Sequence, residues 1–264
     1  VPGYFELPIK KGESIIFSAS TFVAKPEEFE KTYEDEIATR TTRTSFYNCL
    51  KNSAKQFYYK KDDEMYIMAG YPWLNVRARD ELMALPGCTL SIDHKKDFET
   101  IMDTLVSALQ RYINTGEKHR NIKEIDLPDI SLWAIWAIQQ YKRAYGNEEC
   151  LEKYGHVVKY LVEAIREERI YNLYLNDNGL LSTNGQNSPV TWLCATVNGR
   201  PIIPRTGYIV EYNALWYNAL LFTAAIQRCL GKEQVADLME YQAEVAKDNF
   251  VKTFWNGYYL DDYV

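Results

Sequence analysis

The sequence predicts a mainly α protein, a double-layered helical toroid with fewer helices than a full ring, preceded by a short β-rich piece. Three observations predict it. Segments that are apolar nearly all round alternate with segments that are apolar on one face only, so covered helices alternate with covering ones. Gly, Pro and Asn-Asp turn signals separate these segments. The chain of 264 residues is also 47% hydrophobic, enough to bury a large core.

Residues 1–24 read as the end of a β-rich domain or a linker. Tyr4-Phe5-Glu6-Leu7 and the run from Ser14 to Ser20 have strand composition and flank Lys10-Lys11-Gly12. From residue 25 to 264 the pattern is that of one helical domain. Lys25-Pro26-Glu27-Glu28 places Pro and acidic residues in a first turn, which suits the helix dipole. Phe29, Tyr33, Ile37, Phe46, Leu50 and Phe57 then carry a helical spacing toward residue 60. Gly and Pro interrupt it over residues 70–77. Phe98, Ile101, Met102, Leu105, Val106, Leu109, Tyr112 and Ile113 form an amphipathic stripe.

Residues 130–138 are apolar on nearly every side and predict a buried helix. Residues 148–174 are amphipathic again, with Val157, Val158, Leu161, Val162 and Ile165 inward. Asn176-Asp177-Asn178-Gly179 is a turn. A mostly apolar helix over 210–230 and an amphipathic one over 232–255 close the chain. That makes roughly seven helices where a full double-layered ring needs about twelve, so the expectation is part of a longer barrel. Its inner helices, 130–138 and 214–226, are then expected to be exposed and to pair in a homodimer. The chain begins at Val1 rather than Met, so upstream residues are expected too.

Composition excludes several functions. Net charge is −6 and no basic cluster occurs, which argues against nucleic acid or an anionic membrane as partner. Five cysteines, odd in number and widely spaced, suit reduced thiols in the cytoplasm. Three isolated histidines show no metal-ligand spacing, so neither metal nor cofactor is expected. No apolar run reaches the ~20 residues of a membrane-spanning helix.

Residues 189–220 concentrate two tryptophans, three tyrosines, two arginines and a glutamate around Gly and Pro turns, then run into an apolar helix. Flat aromatic faces bind sugar rings, and planar carboxylate, amide and guanidinium groups bind sugar hydroxyls. The segment therefore reads as the wall of a carbohydrate site.

Three ordered blocks carry a family resemblance. Thr191-Trp192-Leu193-Cys194-Ala195, Pro204-Arg205 and Val210-Glu211-Tyr212-Asn213-Ala214-Leu215-Trp216-Tyr217-Asn218 form one. Ala69-Gly70-Tyr71-Pro72-Trp73 with Arg79-Asp80 and Leu85-Pro86-Gly87 form another, and Asp129-Ile130-Ser131-Leu132-Trp133 the third. Together they resemble the glycogen debranching enzyme C-terminal (amylo-α-1,6-glucosidase) family. The resemblance implies an (α/α)6 barrel, a six-hairpin glycosidase that hydrolyses α-1,6-linked glucose at branch stubs with inversion. It implies glycogen, limit dextrin or malto-oligosaccharide as partner.

It also implies site residues. Cys194 stands where the family has its catalytic acid, an Asp. A thiol is a weak donor with an ordinary pKa near 8.5, a poor substitute for a carboxylic acid. Its neighbours Leu193 and Ala195 supply no cation, so an inert thiol is expected. The second carboxylate of the family would lie beyond Val264, and Glu211 is the alternative acid within this chain. Substrate contacts are expected from Trp73, Arg79, Asp80, Asp129, Trp192, Arg205, Glu211, Asn213 and Trp216. Two bland roles stand beside these. Asp129 and Glu211 suit helix starts, and Arg205 suits an ion pair with Glu211.

Alternative functions are a non-catalytic α-glucan-binding relative and an unrelated helical array for protein binding; irregular repeat lengths and loop tryptophans disfavour the array. If the toroid is right, the loops holding Trp73, Asp80, Asp129, Trp192, Arg205 and Glu211 should gather at one end of the helices.

Overall fold

The computed structural model describes residues 3–20 and 23–264; Val1, Pro2, Thr21 and Phe22 lie outside the described residues. The chain divides into two compact units, residues 1–56 and 57–264. The sequence boundary at residue 24 marks a change of composition, whereas the compact units part between Gln56 and Phe57.

In the first unit, α1 (Phe29–Ala38) and α2 (Phe46–Lys55) are separate helices rather than one long segment. Ser45 ends the break between them, its hydroxyl accepting the Asn48 N–H as an N-cap. The buried Asn52 side chain holds the Thr41 backbone at both its N–H and its carbonyl. The strands expected near the N-terminus do not form among residues 3–20. Tyr4, Phe5 and Phe17 are exposed, and strand composition without a ladder partner gives no sheet.

The second unit opens with a hairpin, β1 (Tyr58–Lys61) and β2 (Glu64–Ile67), antiparallel with Lys61 opposite Glu64. Asp62 takes the turn at φ 54. The helices follow in order: α3 (Ala78–Cys88), α4 (Lys95–Thr115), α5 (Ile130–Tyr145), α6 (Asn147–Arg166), α7 (Val210–Cys229) and α8 (Glu233–Phe254). α3 packs on α5 and α5 on α7, forming an inner row. α4 packs on α3, α6 on α5 and α7, and α8 on α7. This is the expected alternation of covered and covering helices.

α5 shows why. Ile130, Leu132, Ala134, Ile135, Ala137, Ile138 and Tyr141 are all buried, because α3, α6 and α7 surround it. The 130–138 stretch is therefore covered within the chain, which corrects the expectation of an exposed face there. Tyr141 joins three helices, with its ring 5.2 Å from both Phe98 of α4 and Tyr154 of α6. The exposed apolar side chains near this end of the chain lie instead on α8, including Val235, Leu238, Tyr241 and Val251. α6 stops at Arg166 rather than running to 174, with Glu168 in the left-handed region at φ 54.

Short strands place the loops. β3 (Val76–Arg77) runs parallel to β4 (Ile122–Lys123), with Arg77 beside Lys123. β5 (Tyr174–Leu175), β6 (Leu181–Thr183) and β9 (Gly207–Tyr208) make a small sheet, and β7 (Thr196–Val197) with β8 (Arg200–Pro201) a hairpin. Among the described residues, no helix is long and apolar enough to cross a membrane.

Candidate functional site

The inner helices all begin at one end, and the site is built on their first turns. β3 leads directly into α3, so Arg77, Arg79 and Asp80 occupy its start. The β3–β4 pairing brings Glu124, the residue after β4, to the same place. Arg77 grips Glu124 with Nε at 3.1 Å and Nη2 at 2.8 Å. Arg77 Nη1 lies 3.4 Å from the Asp80 carboxylate, and its Nη2 donates to Cys194 Sγ at 3.2 Å. Cys194 thus has a cation beside it, which corrects the expectation drawn from its sequence neighbours. The guanidinium comes from a residue 117 positions away.

Arg79 points inward. Its Nε and Nη2 donate to the two oxygens of Asp129, at 2.6 and 2.9 Å, and both side chains are buried. Asp129 also accepts the Trp133 indole N–H at 3.1 Å. Burial pushes the Asp129 carboxyl up, against the pull of Arg79 and Trp133. Burial also works against the Arg79 charge, but Asp129 outweighs it and leaves Arg79 above its ordinary value. Tyr212, in the first turn of α7, is buried beside this pair. Burial first, then the Asp129 charge, push its phenol well above the ordinary value. Its hydroxyl donates to the Val190 carbonyl, two residues before Trp192.

A third pair completes the row. Arg205 is buried, with Nη1 and Nη2 on the two oxygens of Glu211, the second at 2.7 Å. Nη2 also reaches Asp262 Oδ1 at 2.7 Å. The Pro204-Arg205-x-Gly207 loop needs its glycine. Gly207 has φ 94, and a Cβ there would sit 2.3 Å from the Val264 carbonyl oxygen.

Asp80, Asp129 and Glu211 therefore stand at the starts of α3, α5 and α7; Arg77, Glu124 and Arg79 link the first two, and Arg205 holds the third. Trp73 and Trp192 are 80% and 62% exposed on loops, with ring faces available. Two expected contacts are corrected. The Asn213 amide is buried and committed to the Leu181 N–H at 2.7 Å, the Leu181 carbonyl and the Ile209 carbonyl. Trp216 is fully buried in the core. Neither has a free group to offer a ligand. The Arg79 and Arg205 donors are likewise spent on carboxylates, apart from a buried Nε on Arg205 that meets no partner.

Cys194, Glu124, Asp126, Tyr171, Asn172 and Pro189 line a cleft of about 300 Å³ next to these pairs. That is the lower end of the size range for small-ligand sites. Sequence reading missed Arg77, Glu124 and Tyr212. Tyr212 lay inside a matching block, but nothing in the sequence pairs Arg77 with Glu124.

Residues 44–264 match the family described as Amylo-alpha-1,6-glucosidase. The chain belongs to this family. It matches no curated protein. As a member of the amylo-alpha-1,6-glucosidase family it carries a domain of the glycogen debranching enzyme type, and the match spans α2 together with the whole of the 57–264 unit. Among the described residues, no group of three His, Cys, Asp or Glu side chains is placed to hold a metal ion.

Proposed function

We propose that this chain engages α-1,6-linked glucose at the branch stubs of an α-glucan, such as glycogen or its limit dextrin, in the cleft beside Cys194. The observation that carries the reading is the Arg77–Glu124–Cys194 cluster at that cleft, at the position of the family's acid. The two helical rows are read as an arc of a toroid whose loops open on the glucan. Trp73 and Trp192 supply stacking faces, and Asp80 and Asp126 supply hydroxyl acceptors. Five free cysteines suit a cytoplasmic setting.

Inverting hydrolysis needs an acid for the leaving oxygen and a base about 6.5–9.5 Å away to activate water. Cys194 provides a thiol in the acid's place, and its sulfur already accepts a hydrogen bond from Arg77. Glu211, the alternative acid, has both oxygens held by Arg205. These two facts favour a domain that binds α-glucan without turning it over at a family rate, since acid assistance is worth about 10²–10⁴-fold.

The test pairs calorimetric titration with malto-oligosaccharide and chromatographic assay of glucose release from an α-1,6-linked limit dextrin. Expected are weak saturable binding, reduced by Trp192→Ala, and no glucose release. In a chain that also holds the family's second carboxylate, Cys194→Asp should raise turnover with little change in affinity. Absence of any glucan binding sinks the substrate class. Robust glucose release by the chain as it stands sinks the binding-only reading and moves attention to Glu124.

A further inference from the structure

The cleft beside Cys194 holds an aromatic ring that lies outside the matching sequence blocks. Tyr171 lines it together with Asp126, Asn172 and Cys194. Among the described residues, Tyr171 is the one aromatic side chain on that wall; Trp73 and Trp192 stand on loops outside it. The Tyr171 side chain is 70% exposed, so its ring face is open to whatever fills the cleft.

The backbone that presents this ring is fixed. Tyr171 follows α6 in a turn between the buried Ile170 and Leu173, closed by the Leu173 N–H donating to the Ile170 carbonyl at 3.3 Å. Asn172 takes the left-handed region at φ 58, which Asn tolerates better than most residues. Its Nδ2 donates to the Asn184 carbonyl at 2.8 Å, and its Oδ1 accepts the Asn184 N–H at 2.9 Å. The Thr183 hydroxyl donates to the Asn172 carbonyl at 2.7 Å. A ring carried on so constrained a turn has little backbone freedom to lose when a ligand stacks on it.

A carboxylate stands next to it. Ile125 is buried just after β4, and Glu124 and Asp126 on either side of it both line the cleft. Glu124 is gripped by Arg77, whereas Asp126 meets the exposed Lys118 through Oδ2 at 2.6 Å. Tyr112 of α4 lies within electrostatic range of both cleft residues. Burial first, then Asp126 and Tyr171, push its phenol up, and Lys118 opposes them. An aromatic face with an acceptor at its edge suits a pyranose, which offers an apolar C–H face and hydroxyls around its rim.

We propose that Tyr171 is the stacking platform inside the cleft, with Asp126 accepting a hydroxyl of the sugar ring that stacks on it. This rests on the α-glucan reading above, and it adds to the loop tryptophans a ring on the cleft wall itself.

The experiment titrates the intact chain calorimetrically with maltotriose and records the Tm of each variant. Tyr171→Phe should keep the affinity within about twofold, since the ring face remains. Tyr171→Ala and Tyr171→Leu should each weaken it roughly tenfold at an unchanged Tm. Leucine keeps apolar bulk but has no flat face, so it separates stacking from simple burial. Asp126→Asn should weaken binding about threefold or more. Wild-type affinity in either Tyr171→Ala or Tyr171→Leu overturns the platform and leaves the glucan reading standing. Affinity that falls only together with the Tm assigns Tyr171 a structural role and also overturns it. A wild-type chain that binds no maltotriose overturns both.

Discussion

Glu81 is the most perturbed carboxyl whose role lies outside the cleft, and its removal has a calculable consequence. It sits in the first turn of α3, fully buried. Oε1 accepts the Ile67 N–H at 2.7 Å and Oε2 meets no partner. Burial pushes its carboxyl up to about 8, and the Ile67 N–H pulls it back only in part. The neighbouring titratable group that feels it is Tyr66 of β2, whose phenol is pushed up to about 12, chiefly by burial. In the unfolded chain Glu81 ionises near 4.5. Between 4.5 and about 8 the folded state therefore holds a proton that the unfolded state has lost, and stability falls as pH rises through that window. At ~1.36 kcal/mol per pH unit the loss amounts to about 5 kcal/mol as an upper bound. Glu81→Gln keeps an acceptor for Ile67 but cannot ionise. Urea unfolding from pH 5 to pH 9 should find the variant within about 1 kcal/mol of wild type at the acid end, and relatively more stable by about 3–5 kcal/mol at the alkaline end. Groups that titrate in both proteins cancel in the difference. A difference that stays flat across the range, or that runs the other way, refutes the assignment of a neutral buried carboxyl.

Two further outcomes follow from the pairs at the helix starts. Arg79→Met leaves Asp129 buried without its cation and should cost about 3–5 kcal/mol in urea unfolding. Arg79→Met/Asp129→Leu should recover much of that, and equal losses in both would show that packing rather than charge matters there. Asn213→Leu strips partners from the Leu181 N–H and carbonyl, and should lower stability by about 2–4 kcal/mol. Unchanged stability would mean that water replaces the amide and that the buried bridge is not structural.

The helices were legible where one physical signal acted alone. The stripe from Phe98 to Ile113 became α4 and the apolar run 130–138 became α5, because their periodicity answers directly to burial on one side or on all sides. The reading failed where neighbours decide. Residues 26–60 carry helical spacing, yet the Ser45 cap and the Asn52–Thr41 bonds divide them, and Tyr58 to Lys61 pairs with β2 instead. α3 was not marked at all, since Pro86 within it breaks the usual helical pattern. At the site, the matching blocks contained Arg79, Asp129, Arg205 and Glu211, and the sequence offered a pair only for Arg205 with Glu211; the structure pairs Arg79 with Asp129 as well. Glu124 was invisible because its link to Arg77 depends on a two-residue parallel pairing between segments far apart in sequence, followed by a left-handed residue at φ 60.

That contrast bears on what is left to touch a sugar. Asp129 and Glu211 had competing readings, ligand contact and helix start, with an ion pair to Arg205 also open for Glu211, and the structure makes each the counter-ion of a buried arginine. A carboxylate whose two oxygens already face a guanidinium has fewer lone pairs and less uncompensated charge left for a sugar hydroxyl. Their effect on a ligand is then indirect: they fix the starts of α5 and α7, and with them Trp133 in the first turn of α5 and the loop that carries Trp192. Asp80, by contrast, is half-exposed and held only by a 3.4 Å contact to Arg77. Asp126 lines the cleft and pairs with the exposed Lys118, while Glu124 lines it from the grip of Arg77. The groups free to exchange a protein partner for a sugar are thus Asp80, Asp126 and the two exposed tryptophans. The buried arginine pairs supply the rigidity on which they stand.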